Sequence, residues 1–171
     1  MAYNMLATFA VTRLVGMKDD KIVESLNNYV MKNDRVQKFE VNGKKTMLLT
    51  SKHENSISYN QSLLYITREK TPCTVVVIVD AVSRKYFTSE TSWLWDIDFE
   101  LLKDDCVKRI VLAGKYVHDL KARFEYTDID SEKIVSYINL DDMMRDVKTN
   151  SIGKIYVVTC FSDRMKFMSR R

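Results

Sequence analysis

Between Thr91 and Leu102 the chain reads TSWLWDIDFELL, and both of its tryptophans stand there among three carboxylates, Asp96, Asp98 and Glu100. Carboxylates beside aromatic rings can do two kinds of work. A carboxylate can orient an imidazole and stabilise its cationic form, as the acid of a catalytic triad does. Aromatic rings, Trp above all, anchor protein interfaces. Counted at period two, Trp93, Trp95, Ile97 and Phe99 share one face, while Leu94, Asp96, Asp98 and Glu100 share the other. A structural account also fits. The rings bury themselves and the acids cap a helical turn beginning near Asp98, where the helix dipole favours each negative charge by about 0.3–1 kcal/mol. The residues alone leave both readings open.

Other chemistry is thinly represented. Cys73, Cys106 and Cys160 are odd in number, and no CxxC pair exists; the histidines are His53 and His118. Neither a metal site nor a disulfide framework is expected from that set. Cys73 and Cys160 flank apolar runs and read as buried, inert thiols. There is no GxxxxGK[ST] loop and no GxGxxG, and Gly16, Gly43, Gly114 and Gly153 stand in separate places. A glycine-rich phosphate cradle is thereby excluded. The junction LAGK, Leu112 to Lys115, precedes a helix whose N-terminus could draw an anion, but it reads first as a tight turn. No GxSxG elbow occurs. A complete active site within this chain is not expected.

The net charge is +4, with Lys and Arg scattered among Asp and Glu. The densest basic run, Lys166 to Arg171, reads as a solvated tail, and nucleic acid is not an expected partner. No apolar run approaches the ~20 residues of a transmembrane helix. The N-terminus lacks the basic region of a signal peptide. With unpaired cysteines, the cytoplasm is the expected compartment.

The elements that must position these groups follow from periodicity. Apolar residues make up 46% of 171, enough for one domain with a small appendage. YNMLATFAVTRLVG reads as a helix with Leu6, Phe9, Ala10 and Leu14 near one stripe and Gly16 as its C-terminal cap. DDKIVESLNNYVMK reads as a second helix, capped by Asp19 or Asp20, with Ile22, Leu26, Tyr29 and Val30 on its buried face. Next, KFEVNGKKTMLLT carries Asn42-Gly43 between strand-like runs, a hairpin signal. The segment YNQSLLYITREK predicts a helix, and TVVVIV, Thr74 to Val79, a strand covered on both faces. RIVLAG, KIVSYI and KIYVVT predict further strands from Arg109, Lys133 and Lys154. KYVHDLKARFEY predicts a helix burying Val117, Leu120 and Phe124, and DDMMRDVKTN one capped by Asp141 or Asp142. Strands alternating with helices predict an α/β layer fold with a mainly parallel sheet. The N-terminal helical hairpin stands outside that plan.

SWLWDIDFE, Ser92 to Glu100, resembles the signature of the C-terminal domain of MurT-type subunits in the Mur ligase family. RIVLAGKYVHDLKARFEYTDID and IYVVTCFSDRMKF are similar to strand–helix units of that domain. NDRVQKFEVNGKKTMLLTSKHENSISYNQSL resembles the crossing into it, and AYNMLATFAVTRLVGMKDDKI resembles the last helical pair of the Mur ligase ATP-binding domain. The resemblance implies two parts. Residues 1–33 form a helical hairpin, the tail of an ATP-binding domain. Residues 34–171 form a Rossmann-like α/β domain of the Mur ligase C-terminal type.

The resemblance also implies a function. Enzymes with such subunits are lipid II isoglutaminyl synthases, which amidate D-glutamate of the peptidoglycan stem peptide using ATP, Mg²⁺ and glutamine. A GatD-type glutaminase partner frees the ammonia, which attacks an acyl-phosphate. Lipid II is the substrate of the complete enzyme. The C-terminal domain lends its partner a carboxylate; by position this is Glu90, then Asp96, then Asp80. Trp93 and Trp95 would dock the glutaminase. Asn4, Arg35 and Lys52 match positions near the nucleotide, and Arg35 has the planar fork that suits a phosphate. Alone, the chain would be inactive and hold no ATP tightly. Two alternatives stand beside this: a non-catalytic α/β interaction module, which the unretained Ala-Asp-Gly before the tryptophans favours, and an unrelated flavodoxin-like domain.

Overall fold

The computed structural model describes residues 2–29, 35–52, 55–82 and 90–171. The chain divides into two compact units, Met1–Asn33 and Asp34–Arg171.

The first unit is a pair of helices, α1 (Ala2–Leu14) and α2 (Asp19–Asn27). Gly16 joins them at φ +90°, the left-handed conformation that ends a helix and that glycine adopts without a Cβ penalty. The α2 cap differs from expectation. Lys18 occupies the N-cap position in extended backbone, and Asp19 and Asp20 lie in the first turn, where they complement the dipole instead. Ile22 is buried, but Tyr29, expected beside it, is 63% exposed because the helix ends at Asn27. Val30 lies outside the described residues. Leu6 and Leu14 of α1 are largely exposed as well.

The second unit is a six-stranded sheet in the order β1-β2-β6-β3-β4-β5. The strands are β1 (Val36–Val41), β2 (Lys44–Ser51), β3 (Cys73–Ile78), β4 (Val107–Ala113), β5 (Ile134–Tyr137) and β6 (Lys154–Cys160). Only β1 runs antiparallel to its neighbour; every other pairing is parallel. The β1–β2 turn holds Asn42 at φ +47° and Gly43 at φ +74°. Two successive left-handed residues make the turn whose twist matches a two-residue hairpin.

Helices α3 (Ser56–Arg68) and α4 (Val117–Phe124) share one apolar cluster with two 3-10 helices, Ser92–Asp96 and Phe99–Lys103. Helices α5 (Leu140–Asn150) and α6 (Phe161–Met168) share a second cluster with the alternate strand residues. Thus Val75, Val77 and Val79 of the β3 run meet the first cluster, and Val76 and Ile78 the second. Burial on both faces is why TVVVIV lacks polar alternation. Each such side chain contributes about 1.5–3 kcal/mol. The cap of α5 is Asn139, whose side chain accepts from the Asp141 amide, rather than Asp141 or Asp142. The helix starts two or three residues earlier than the acidic pair suggests, and both acids fall in its first turn.

One ion network closes the amino end of the sheet. Glu69 accepts from Lys154 Nζ at 2.5 Å and from the Tyr156 hydroxyl at 2.6 Å. Burial opposes its charge, but the hydrogen bonds from Lys154, Tyr156 and Tyr65 outweigh it and hold the carboxyl at about 2 against an ordinary 4.5. A depressed carboxyl stabilises the fold above the unfolded value and loses that contribution as pH falls from about 4.5 toward 2. The side chain keeps 27% of its surface in water, so the contribution is about 2 kcal/mol rather than the full linkage value. Glu69→Gln is expected to shrink the loss of stability between pH 5 and pH 2.5 by that amount. Urea titrations at the two pH values measure it, and an unchanged loss would refute the assignment.

Candidate functional site

Parallel strands end on a common rim, and a crevice opens where neighbouring strands connect in opposite directions. Here β3 leads on to β4, while β6, on its other side, comes last in the chain. The carboxyl ends of these strands carry Asp80 after β3, Gly114 and Lys115 after β4, and Cys160 ending β6. Ser51 of β2 pairs with Cys160, so Lys52 reaches the same rim. Arg35 does too, since its carbonyl accepts from the Thr50 amide at 2.7 Å. Both Arg35 and Lys52 are exposed.

A clamp ties α6 to the end of β3. Asp163, fully buried, accepts from the backbone amides of Asp80 at 2.8 Å and Ala81 at 3.1 Å. Lys166, one turn further along α6, reaches Asp80 Oδ2 at 2.5 Å and Asp163 Oδ1 at 3.0 Å. Burial works against the Lys166 charge, but hydrogen bonds to the two carboxylates win and raise its pKa above the ordinary lysine value. The other Asp80 oxygen accepts from the Lys115 amide at 2.9 Å. That amide belongs to the LAGK turn, so Asp80 itself fills the place an incoming anion would take. Gly114 is required there: at φ +110°, a Cβ would stand 2.3 Å from the Val79 carbonyl oxygen. Burial also pushes the Cys160 thiol up, in keeping with an inert residue.

The aromatic stretch does not keep its period-two faces, and it does form the helical turn expected near Asp98. It folds into two 3-10 helices, Ser92–Asp96 and Phe99–Lys103, and three residues per turn separates side chains that period two would group. Trp93, Leu94, Ile97 and Phe99 are buried, whereas Trp95 is 53% exposed. Trp93 packs tilted on Tyr59 at 5.3 Å. Trp95 meets exposed Tyr126 edge-on at 5.2 Å. Arg123, on α4, holds the turn in place. Its guanidinium, 6% exposed, donates to the Ile97 carbonyl at 2.8 Å and to both Glu100 oxygens at 2.8 and 2.9 Å. It also lies 5.8 Å from the Trp95 ring centre. Asp98 sits at the N-cap of the second 3-10 helix without capping it. Asn60 of α3 instead holds Asp98 itself, accepting from its amide and donating to its carboxylate, both at 2.9 Å.

The three candidate carboxylates therefore have different partners. Asp80 belongs to the α6 clamp. Glu90 is half-buried, and its Oε1 accepts from the Ser92 amide at 2.6 Å at the entrance to the tryptophan turn. Asp96 is exposed, its carbonyl 3.5 Å from Asn60 Nδ2. Asn4 lies exposed on α1, in the first unit. Among the described residues no cluster of three or more His, Cys, Asp and Glu is arranged to hold a metal. His118 is exposed on α4, and His53 lies outside the described residues. An open depression of about 440 Å³, lined by Lys70, Pro72, Asp104 and Cys106, lies at the opposite, amino end of the sheet from Asp80 and Lys115.

The family model of the MurT ligase C-terminal domain matches residues 53–163. The chain belongs to that family. The MurT subunit of the lipid II isoglutaminyl synthase (glutamine-hydrolyzing) of Streptococcus pneumoniae R6 is 24% identical over 166 residues, covering 96% of this chain and 36% of the relative. Its counterpart from Staphylococcus aureus COL is 28% identical over 134 residues, covering 78% and 30%. The chain thus spans about a third of the length of these relatives. A solved structure of UDP-N-acetylmuramoyl-L-alanyl-D-glutamate–2,6-diaminopimelate ligase superposes with a TM-score of 0.50 at 11% identity, covering 92% of this chain and 32% of that one. This confirms the α/β fold of the Mur ligase type. No helix among the described residues is long and apolar enough to cross a membrane.

Within this MurT-type domain, sequence reasoning missed Asp163, Lys166, Arg123, Tyr126 and Asn60. The Asp163–Lys166 pair had a signal, since opposite charges at i,i+3 on a helix are neighbours. The others had none, because their partners lie on distant elements.

Proposed function

We propose that this chain is the C-terminal part of the ligase subunit of a lipid II isoglutaminyl synthase and that it docks the glutaminase subunit. The complete enzyme amidates D-glutamate of the lipid II stem peptide with ATP and glutamine-derived ammonia, in the cytoplasm. The family match across residues 53–163, which includes the tryptophan turn, carries this reading. Two features support it. Trp95 and Tyr126 offer exposed rings braced by Arg123, as interface anchors require. Glu90, beside them in the chain, has one oxygen fixed by the Ser92 amide. A carboxylate so oriented suits the triad role: it holds the partner's imidazole in one tautomer and stabilises the cation formed as the cysteine ionises. Arg35 and Lys52 are exposed cations on the carboxyl rim of the second unit that fit phosphate oxygens; Asn4, exposed on α1, is the first unit's own candidate for the nucleotide. When bound, ATP with its Mg²⁺ would supply the phosphoryl group that turns the substrate carboxylate into an acyl-phosphate, the electrophile that ammonia attacks.

Reconstitution with the glutaminase tests the proposal. Glu90→Gln is expected to lower glutaminase turnover by at least about 100-fold while leaving assembly intact. Trp95→Ala is expected to weaken association about 10- to 100-fold by calorimetry. Unaltered turnover in Glu90→Gln would move the role to Asp96. The second reading, a non-catalytic interaction module, is favoured by Asp80, both of whose oxygens are committed within the fold. It requires that Trp95→Ala act while Glu90→Gln and Asp96→Asn do not.

A further inference from the structure

The cysteines carry no pairing pattern in the sequence, yet the fold brings two of them together at the amino end of the sheet. Cys73 opens β3, and Cys106 immediately precedes β4. The Cys73 amide donates to the Cys106 carbonyl at 2.9 Å. Cys73 pairs in register with Val107, so Cys106 is offset by one residue; a step of about 3.3 Å along strands about 4.8 Å apart puts the two Cα atoms about 5.8 Å apart, inside the separation of about 4.4–6.8 Å that a disulfide spans. Both side chains belong to the same apolar cluster. Cys73 is sealed, but Cys106 is 7% exposed and lines the open depression together with Lys70, Pro72 and Asp104. Cys160 stands at the opposite end of the sheet, where β6 finishes.

We propose that Cys73 and Cys106 form an oxidation site, in which Cys106 meets a peroxide entering from the depression and Cys73 resolves the product to an intramolecular disulfide. The Cys106 thiolate attacks one peroxide oxygen, the O–O bond breaks and hydroxide leaves, giving a sulfenic acid. The Cys73 sulfur then displaces that oxygen, which departs as water with the Cys73 proton. The proton first lost from Cys106 neutralises the hydroxide, so two thiols and one hydrogen peroxide give one disulfide and two waters. The charged groups around the pair are Glu69 and Lys70 after α3, and Asp104, Asp105 and Lys108 beside the start of β4. Burial, then the Asp104 carboxylate, raises the Cys106 thiol above its usual range, and burial pushes Cys73 up to about 12. The reaction is therefore slow at neutral pH and accelerates as pH rises and thiolate appears. The bond closes a covalent loop of residues 73–106, which takes in β3 and the connection carrying Glu90 and Trp95.

The folded full chain, treated with hydrogen peroxide at pH 8.5 and then freed of it, is expected to retain one of its three thiols on denaturation. It should weigh about 2 Da less, yield a Cys73–Cys106 peptide and melt several degrees higher until dithiothreitol is added. Cys160→Ser leaves the cross-link intact, and Cys106→Ser prevents it. Peptide mapping of the unaltered chain decides the matter even if a variant misfolds. Three surviving thiols, a cross-link between two chains, or Cys106 as sulfinic acid beside a Cys73 thiol would each overturn the proposal.

Discussion

Asp163→Ala is expected to destabilise the second unit by about 3–5 kcal/mol, the range for removing one member of a buried charged pair. Asp163 is 0% exposed, and its carboxylate gathers three things at once: the amides of Asp80 and Ala81, and the ammonium of Lys166. Without it, two amides that leave the sheet rim lose a charge-assisted acceptor, and Lys166 is left with Asp80 alone. Alanine also opens a void at the start of α6. Asp163→Asn keeps an acceptor oxygen and the volume, so it is expected to cost less, about 1–2 kcal/mol. Urea denaturation of the three proteins at pH 7 measures both. A loss under 1 kcal/mol for Asp163→Ala would mean that the clamp is incidental to the fold.

Gly153→Ala is expected to be worse, costing more than about 4 kcal/mol or leaving no folded protein. Gly153 turns the chain from α5 into β6 at φ +63°, and a Cβ there would stand 1.9 Å from the Pro72 carbonyl oxygen and 2.7 Å from its carbon. That carbonyl accepts from the Lys154 amide at 3.1 Å, so it cannot retreat without breaking the first bond between β6 and β3. Gly43→Ala is the control. It has a similar φ, +74°, but nothing within 4 Å, and only the left-handed penalty of about 1–2 kcal/mol applies. Thermal melts of the two variants separate the clash from the conformational cost. Equal shifts in Tm would show that the Pro72 contact yields freely.

These effects lie in parts of the molecule that the sequence exposes unequally. The α/β class, the Asn42-Gly43 hairpin, the buried β3 run and the Gly16 cap were all readable, because each depends on residues adjacent in the chain: apolar periodicity, a φ requirement, a terminus. The caps of α2 and α5 were misplaced by one to three residues, since any polar residue near a helix start satisfies the same rule. In SWLWDIDFE the helical turn near Asp98 was readable, but the period-two faces and the capping role of the acids were not. Over so few residues, alternation and a three-residue turn bury many of the same side chains, and Leu94, buried, and Trp95, exposed, are where the two diverge.

The sequence by itself determined which local structures were possible and, through the motif around Trp93 and Trp95, the family. Only the tertiary structure decided which groups meet. Asp163 reaches Asp80, Arg123 reaches Glu100, Asn60 holds Asp98, and Cys73 lies against Cys106. Each of these pairs joins residues from separate elements, and their proximity is set by strand order and helix packing. No local propensity encodes it.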